Sequence, residues 1–385
     1  MNKGLIALML GGLGLGMTEF VMMGILPVLA THFHISIPQA GNFITFYALG
    51  VVVGAPTLVL IAGYCRPKNI LLLLMVLFTI FNSAAMLVHS YHEMVLIRFL
   101  AGLPHGAFFG VGAVVASRLA EPGKSARAIA LMFTGLTIAN IVAVPLGTFI
   151  GFHFSWQLTF MMIGIIGLIT LSALLLWLPN LERTDQHNLK NELSFFTQGR
   201  AWLVMAIICF GTSGLFAWFS YIAPLLIHVS HFAPGDLAYF MLLAGVGMFV
   251  GNIIGGRLAD RFGALRATIM TLVAMFIILF FVHISAQHQG LVLIATFLAG
   301  AAGLANAAPV QMLMITCFKE SQFLASSLSP ACFNVGNAMG ASLGGVPLFY
   351  GASYTSPEWI GMLLILISLG LIALLIALRR NHVAS

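Results

Sequence analysis

Twelve long apolar runs dominate this sequence, and each is long enough to cross a lipid bilayer as a helix. A spanning helix needs about 20 mostly apolar residues. Of the 385 residues, 61% are hydrophobic and only 7% are charged, far fewer charges than a soluble domain carries. The runs are too long for membrane β-strands and lack their alternation. We therefore predict an all-α membrane protein whose spans lie at roughly 4–30, 40–63, 69–88, 94–117, 127–150, 156–178, 201–228, 236–256, 267–285, 290–315, 326–349 and 358–378.

The placement of lysine and arginine predicts the orientation of these spans. All of these residues except Arg98 fall on one side of the predicted membrane, and the loops on the other side contain none. The positive-inside rule assigns the basic side, including both termini, to the cytoplasm. The net charge of +6 comes from residues that flank spans instead of forming a patch, so we do not expect a nucleic acid partner.

A polar, charged stretch at 179–200 interrupts the apolar runs and divides the spans into six and six. We predict an N-terminal six-helix bundle at 1–178, a cytoplasmic linker at 179–200 and a C-terminal six-helix bundle at 201–385. A constant offset of 197 residues aligns Pro27 with Pro224 and Asn140 with Asn337. Two pseudo-symmetric halves of this kind predict a transporter with its site between the halves, near the middle of the membrane.

Glu19 is the one acidic residue that falls deep inside a predicted span, and such residues are functional candidates. It lies near mid-membrane, so we expect it to be neutral in a dry cavity and to ionise when water or a cation reaches it. His105 lies at a matching depth in the fourth span, where it either shares a proton with Glu19 or packs as an ordinary core residue. Arg98 lies nearer the outer end of that span, where it either snorkels to the surface or tunes the acid.

Aromatic and amide side chains within the spans are candidates for lining a substrate cavity. Ligand pockets typically combine apolar walls with a few polar groups. For any single aromatic residue, ordinary packing is the competing interpretation. The candidates are Tyr47, Phe108, Asn140, Phe216, Trp218, Tyr221, Asn306 and Asn337.

Glycine stripes with a four-residue period predict helices in close contact. Glycines recur at 102/106/110, 247/251/255 and 336/340/344, and once more at 50/54 and 147/151. Small residues let helix backbones approach each other in lipid. The stripes therefore indicate packing, with smooth faces for helix movement as a compatible second role.

The sequence shows no pattern of residues typical of catalysis. We find no nucleotide-binding loop, no HExxH metal motif and no nucleophile elbow. The four cysteines are scattered without CxxC spacing, so we predict neither a disulfide nor a metal site. We expect no enzymatic activity and no cofactor, and the absence of an ATP-binding loop favours an ion gradient as the energy source.

Several of these motifs resemble the major facilitator superfamily, specifically the drug:proton antiporter branch with twelve spans. The segments "GMTEFVMMGILP" and "RFLAGLPHGAFFGVGA" are similar to the first and fourth spans of its arabinose-efflux-permease and sugar-efflux group. "GLTIANIVAVPLGT" is a loose version of the antiporter signature of the fifth span. The resemblance covers essentially the whole chain. It implies the major facilitator fold, a proton-coupling role for Glu19, and a cavity lined by the first, fourth, seventh and tenth spans.

"GGRLADRFG" resembles the motif that joins the second and third spans of each half in this family. The resemblance implies a cytoplasmic gating latch. We expect Gly256 to permit a close helix crossing and Asp260 to interact with arginine or with a helix dipole. The first half keeps a basic residue here but lacks the aspartate, so we expect the latch to act mainly in the second half. The predicted latch residues are Gly256, Asp260, Arg261, Gly263 and Arg66.

Together these observations predict a proton-coupled exporter that works by alternating access in the bacterial inner membrane. The expected partners are a small organic molecule (a sugar or an amphipathic drug), protons and the lipid bilayer, with the protein acting as a monomer. Two alternatives remain open. One is a proton-coupled importer of a nutrient, and the other is a membrane sensor that binds a ligand without transporting it.

Overall fold

The structure, a computed structural model, describes residues 2–62, 65–121, 124–182, 198–318 and 322–384. All regular secondary structure in these ranges is helical. The first seven α-helices are α1 (Lys3–His32), α2 (Ile37–Ala62), α3 (Pro67–Ala84), α4 (Tyr91–Leu119), α5 (Ser125–Ile138), α6 (Val144–His153) and α7 (Trp156–Trp177).

The remaining helices follow the stretch that was predicted to be a linker, most of which lies outside the described residues. They are α8 (Gly199–Phe219), α9 (Ile222–His228), α10 (Leu237–Phe262), α11 (Ala264–Ser285), α12 (Gln289–Ala305), α13 (Ala307–Cys317), α14 (Gln322–Phe349) and α15 (Ser356–Ala384). The chain divides into two compact units. The described residues up to 182 form the first unit, with Ala233–Leu242 grouped into it, and the other described residues form the second.

Eleven segments of the described chain are long and apolar enough to cross a membrane. Each coincides with a predicted span. The remaining predicted span, 326–349, corresponds to α14, a helix of 28 residues. Its Gly, Ser and Asn residues lower its mean hydropathy, so length alone marks it as a possible span. The all-helical membrane architecture therefore follows the prediction closely.

Three of the spans contain a break in their α-helix. A π-helical turn, Ala139–Ala143, joins α5 to α6, Ser220 and Tyr221 separate α8 from α9, and Asn306 separates α12 from α13. A proline follows each break within the first few residues of the next helix. Proline has no N–H to donate and clashes with the carbonyl four residues before it, which breaks the helical hydrogen bonding at that point.

The glycine stripes mark real helix crossings. In the first unit, a Cβ atom on Gly54 would lie 2.0 Å from the Leu103 carbonyl oxygen of α4, and one on Gly102 would lie 2.1 Å from the Tyr47 carbonyl oxygen of α2. In the second unit, a Cβ on Gly251 would lie 1.9 Å from the Ala301 carbonyl oxygen of α12. The predicted packing role is confirmed, because at these points only hydrogen fits between the backbones.

Candidate functional site

Four polar side chains predicted from the sequence meet inside the first unit, and we call them the buried polar cluster: Glu19, Tyr47, Arg98 and His105. Glu19 lies on α1, Tyr47 on α2, and both Arg98 and His105 on α4. All four are buried, with at most 5% of each residue exposed. The cluster therefore combines an acid, an imidazole, a phenol and a guanidinium in the buried interior of the first unit.

His105 is the central member of the cluster. Its Nε2 atom lies 3.8 Å from Glu19 Oε2, and its Nδ1 atom lies 2.8 Å from Tyr47 Oη. The imidazole thus contacts the acid with one nitrogen and the phenol with the other. The matched depth of Glu19 and His105, predicted by counting residues along the two helices, is confirmed by this contact.

Two proton arrangements satisfy this geometry. If the Tyr47 hydroxyl donates to Nδ1, a neutral imidazole carries its proton on Nε2 and presents it to the Glu19 carboxylate. If Nδ1–H donates to Tyr47 Oη, Nε2 is an acceptor that faces a protonated Glu19. The hydrogen bond of one ring nitrogen fixes the state of the other. Tyr47, which was predicted to bind substrate, is therefore placed to orient His105.

Arg98 is a buried cross-link between helices. It donates from Nη1 to Thr18 Oγ1 and from Nη2 to the Thr18 carbonyl oxygen, at 3.0 Å in both cases. It also donates from Nε to the Phe43 carbonyl oxygen at 3.2 Å. With 1% of its surface exposed, it does not snorkel, so that alternative is wrong. The reason is that α1 and α2 supply acceptors for the charged group inside the bundle, which replace the hydration it would otherwise seek at the surface.

Arg98 also packs against an aromatic ring and is connected through Thr18 to a further helix, α3. The guanidinium carbon lies 4.2 Å from the centre of the Tyr47 ring, a favourable cation–π arrangement. The Thr18 hydroxyl that accepts from Arg98 in turn donates to Asn82 Oδ1 on α3. One guanidinium therefore connects α4 with α1 and α2 directly and with α3 through Thr18.

Local sequence explains how one tyrosine reaches both residues of α4. Arg98 and His105 are seven residues apart, so they lie on the same face of α4, two turns and about 10 Å from each other. Gly102 lies between them, at the point where α2 and α4 touch. This close contact brings Tyr47 between the two side chains, with its ring over Arg98 and its hydroxyl on His105.

The other two candidates in the first unit occupy ordinary structural positions. Phe108 packs on α1, where a Cβ on Gly11 would lie 2.1 Å from its ring. Asn140 lies in the π-helical turn and donates to the Leu136 carbonyl oxygen at 3.1 Å. Their role in substrate binding stays a prediction.

The second unit buries all five of its predicted substrate-binding residues. Phe216 makes an edge contact with Phe333, and Trp218 packs against Phe219. Tyr221 donates its hydroxyl to the Ala341 carbonyl oxygen at 2.7 Å. Each candidate has at most 3% of its surface exposed; the set is Phe216, Trp218, Tyr221, Asn306 and Asn337.

Among these residues, Asn306 has the side chain best placed to donate a hydrogen bond to a ligand. It lies at the break between α12 and α13 and accepts a hydrogen bond from Thr271 Oγ1 at 2.9 Å. Its Nδ2 atom is buried and has no hydrogen-bond partner in the described part of the chain. The Thr271 bond fixes the amide plane, so an oriented donor remains for a ligand or a water molecule.

Sequence reasoning missed a second buried acid. Glu358 was assigned to the end of a span, but only 1% of it is exposed. It lies in the first turn of α15, where the helix dipole favours negative charge. Its Oε2 atom accepts no hydrogen bond from the residues that the structure describes. The sequence placed Glu358 near the end of a predicted span. Position along the chain does not show whether that end of the span is buried or solvated.

The predicted latch residues lie at the junction of α10 and α11. Asp260, Arg261 and Gly263 are exposed there, and Arg66 is exposed at the equivalent junction of the first unit. Gly263 has a φ of 79°, a conformation that favours glycine, so its role is to make the turn. The expected close crossing at Gly256 is wrong, because no atom of the described residues would lie within 4 Å of a Cβ at this position. The crossing instead uses the glycines at 247, 251 and 255.

In the described residues, no group of three or more His, Cys, Asp or Glu side chains is arranged to hold a metal ion. The buried polar cluster itself combines an acid and an imidazole, which can exchange a proton, with a phenol and a guanidinium, which can donate hydrogen bonds.

Comparison with known proteins decides the family. The sequence profile described as the Major Facilitator Superfamily matches residues 8–287 and 234–384. The chain belongs to the Major Facilitator Superfamily. It is 38% identical over 354 residues to AraJ of Escherichia coli (strain K12), covering 92% of this chain and 90% of AraJ. It is 35% identical over 356 residues to the inner membrane transport protein YdhP of the same strain, covering 92% and 91%.

Solved structures show the same fold at low sequence identity. A bacterial homologue of the human lysosomal transporter Spinster, in an inward-facing and occupied conformation, is 17% identical with a TM-score of 0.72, covering 96% of this chain and 95% of that one. The D-xylose–proton symporter is 18% identical with a TM-score of 0.72, covering 95% and 96%. The protein is therefore a multi-pass membrane transporter of this superfamily and not an enzyme.

Proposed function

We propose that this protein is a proton-coupled secondary transporter that exports a small organic molecule across the bacterial inner membrane. The observation that carries the proposal is the 3.8 Å contact between Glu19 and His105, in a cluster where the charged Arg98 is held by carbonyl and hydroxyl oxygens. An acid and an imidazole buried in contact can hold or exchange a proton. The name of YdhP, an inner membrane transport protein, supports the location.

In this proposal Glu19 carries the transported proton. The proton reaches Glu19 from the periplasm and is released towards the cytoplasm, while substrate bound from the cytoplasm is displaced towards the periplasm. His105 accepts or returns the proton over the 3.8 Å contact, and Tyr47 keeps its ring in position. Arg98 acts as a fixed positive charge near the acid, since the two groups interact electrostatically.

The substrate class is proposed as a neutral or weakly charged molecule, either a sugar or an amphipathic drug. The predicted substrate-binding residues of both units are aromatic, phenolic or amide side chains, which suit hydroxyl groups and apolar rings. Asn306, with its Nδ2 unpartnered among the described residues, is the strongest single candidate for a donor to a substrate oxygen.

An importer that carries proton and nutrient in the same direction is the second candidate. The observation that favours it is the shared fold with the D-xylose–proton symporter. Both candidates use a proton, so they differ in the relative direction of proton and substrate. The third candidate, a membrane sensor, binds ligand without moving it.

Everted membrane vesicles test these proposals together. The vesicles are acidified inside, and a pH-sensitive dye follows the proton gradient while sugars and then amphipathic drugs are added outside. Antiport releases protons as substrate enters and collapses the gradient, whereas symport carries protons inward and increases it. Direct measurement of labelled substrate in the same vesicles separates transport from binding.

The informative variant is Glu19→Gln, and Glu358→Gln is its matched control, because it makes the same change at the other acid that the structure buries. We expect substrate-dependent proton movement to fall at least tenfold in Glu19→Gln and to persist in Glu358→Gln. Normal coupling in Glu19→Gln would show that Glu19 is not the proton carrier. Ligand binding without flux in the unmodified protein would support the sensor instead.

A further inference from the structure

Two of the four scattered cysteines meet inside the second unit. Cys209 lies on α8 and Cys332 on α14, and the two side chains lie close enough to interact. Both are reduced thiols; Cys332 is buried and Cys209 is partly exposed. The two residues are far apart in the sequence, so their proximity is evident only in the fold.

The helices that carry this pair are in close contact along one seam. A Cβ on Gly336 would lie 2.7 Å from the Cys209 carbonyl oxygen, and one on Gly340 would lie 2.6 Å from the Ser213 carbonyl oxygen. Cys332 is one turn before Gly336 and on the same face of α14. The cysteines therefore continue a seam of close backbone contact between α8 and α14, and a disulfide forms only between helices that approach each other closely.

We propose that Cys209 and Cys332 are a modification site that forms a reversible disulfide between α8 and α14. The oxidant is a membrane-permeant two-electron acceptor of the diazenedicarboxamide or substituted-quinone class. Two S–H bonds break and one S–S bond forms, while the acceptor takes up two electrons and two protons. With diamide, the N=N bond becomes an N–N bond with two N–H groups. A thiol reductant reverses the reaction by exchange.

Because the two thiols differ in solvent exposure, they have different roles in this reaction. Cys209 is accessible enough to meet the reagent first and form the mixed adduct. The buried Cys332 then displaces the reagent, because it lies beside Cys209 across the seam. The product ties α8 covalently to α14 about three helical turns before the break that separates α8 from α9.

The test uses full-length protein in which Cys65→Ser and Cys317→Ser leave only this pair. The purified protein is treated with diamide, and remaining thiols are alkylated before digestion without reductant. We expect mass spectrometry to find one linked peptide pair containing Cys209 and Cys332, with both thiols lost to alkylation and recovered after dithiothreitol. The unfolding midpoint should rise by roughly 5 °C on oxidation.

Matched controls make the result specific. Cys209→Ser or Cys332→Ser in the same background should give no linked peptide and no rise in the midpoint. If the pair variant folds poorly, the same digest of the unmodified protein identifies the partners directly. The proposal is overturned if, in folded protein, diamide leaves both thiols open to alkylation or links either one to a different cysteine.

Discussion

At the scale of single residues, the buried charge of Arg98 depends most strongly on the hydrogen-bond acceptors around it. Its three donated hydrogen bonds end on two helices, and each uses a different nitrogen atom. A guanidinium has this planar fork, whereas a lysine ammonium has three donors on one atom. The position therefore selects arginine for its shape as well as its charge.

This argument gives a prediction for Arg98→Lys. The shorter reach of one ammonium leaves at least one of the Thr18 and Phe43 acceptors unsatisfied, at a cost of about 2 kcal/mol. We expect a lower midpoint temperature of unfolding in detergent, measured with a fluorescent dye that does not react with cysteine. Arg261→Lys, at an exposed position, is the control and should leave the midpoint unchanged. Equal midpoints for both variants would contradict the cross-linking role of Arg98.

At the scale of helices, the structure divides the glycines of α10 into two kinds. A Cβ on Gly251 would lie 1.9 Å from the Ala301 carbonyl oxygen, whereas a Cβ on Gly256 would meet no atom of the described part of the chain within 4 Å. Glycine is conformationally costly inside a helix, so it is retained without penalty only where a neighbour excludes any side chain. The sequence motif drew attention to Gly256, but the helix crossing depends on Gly251.

The two alanine variants should therefore have opposite effects. Gly251→Ala forces α10 and α12 apart and should lower stability by about 1–3 kcal/mol. Gly256→Ala gains helix propensity of up to about 1 kcal/mol without a clash. Unfolding midpoints of the two purified variants measure the contrast. A larger loss in Gly256→Ala than in Gly251→Ala would show that the assigned crossing is wrong.

At the scale of the whole molecule, the one-sided distribution of lysine and arginine predicts the topology. Both termini and the stretch at 179–200 are expected in the cytoplasm, and the loop around His231 on the opposite side. The structure divides the chain into two compact units, with Ala233–Leu242 grouped into the first, and the predicted bundle bounds of 1–178 and 201–385 stay a prediction. The location of the termini stays a prediction.

Reporter fusions test this topology. Green fluorescent protein placed after Ser385 should fluoresce, because it matures in the cytoplasm, and alkaline phosphatase at the same position should be inactive. Insertion of the same two reporters between His231 and Phe232 should give the reverse pattern. A fluorescent insertion at that loop, with normal expression, would contradict the assigned orientation.

Several features of this protein are determined by the sequence alone. The length of each apolar run predicts a membrane helix, because a polar residue anywhere within the run would face lipid, which is unfavourable. Charge in the loops predicts an orientation, because lysine and arginine are retained on the cytoplasmic side. Counting residues along two helices was enough to match the depths of Glu19 and His105. The resemblance to the family followed from short motifs, each contained in one span or in the turn that follows it.

Only the tertiary structure decided which side chains face each other. Depth along a helix is set by sequence, but rotation about the helix axis and the choice of neighbour are set by packing among all the helices. This is why the Tyr47–His105 contact, the oxygen acceptors around Arg98, the burial of Glu358 and the Cys209–Cys332 pair could not be predicted. It is also why Gly256 was misassigned, since one residue along a helix turns the side-chain direction by about 100°.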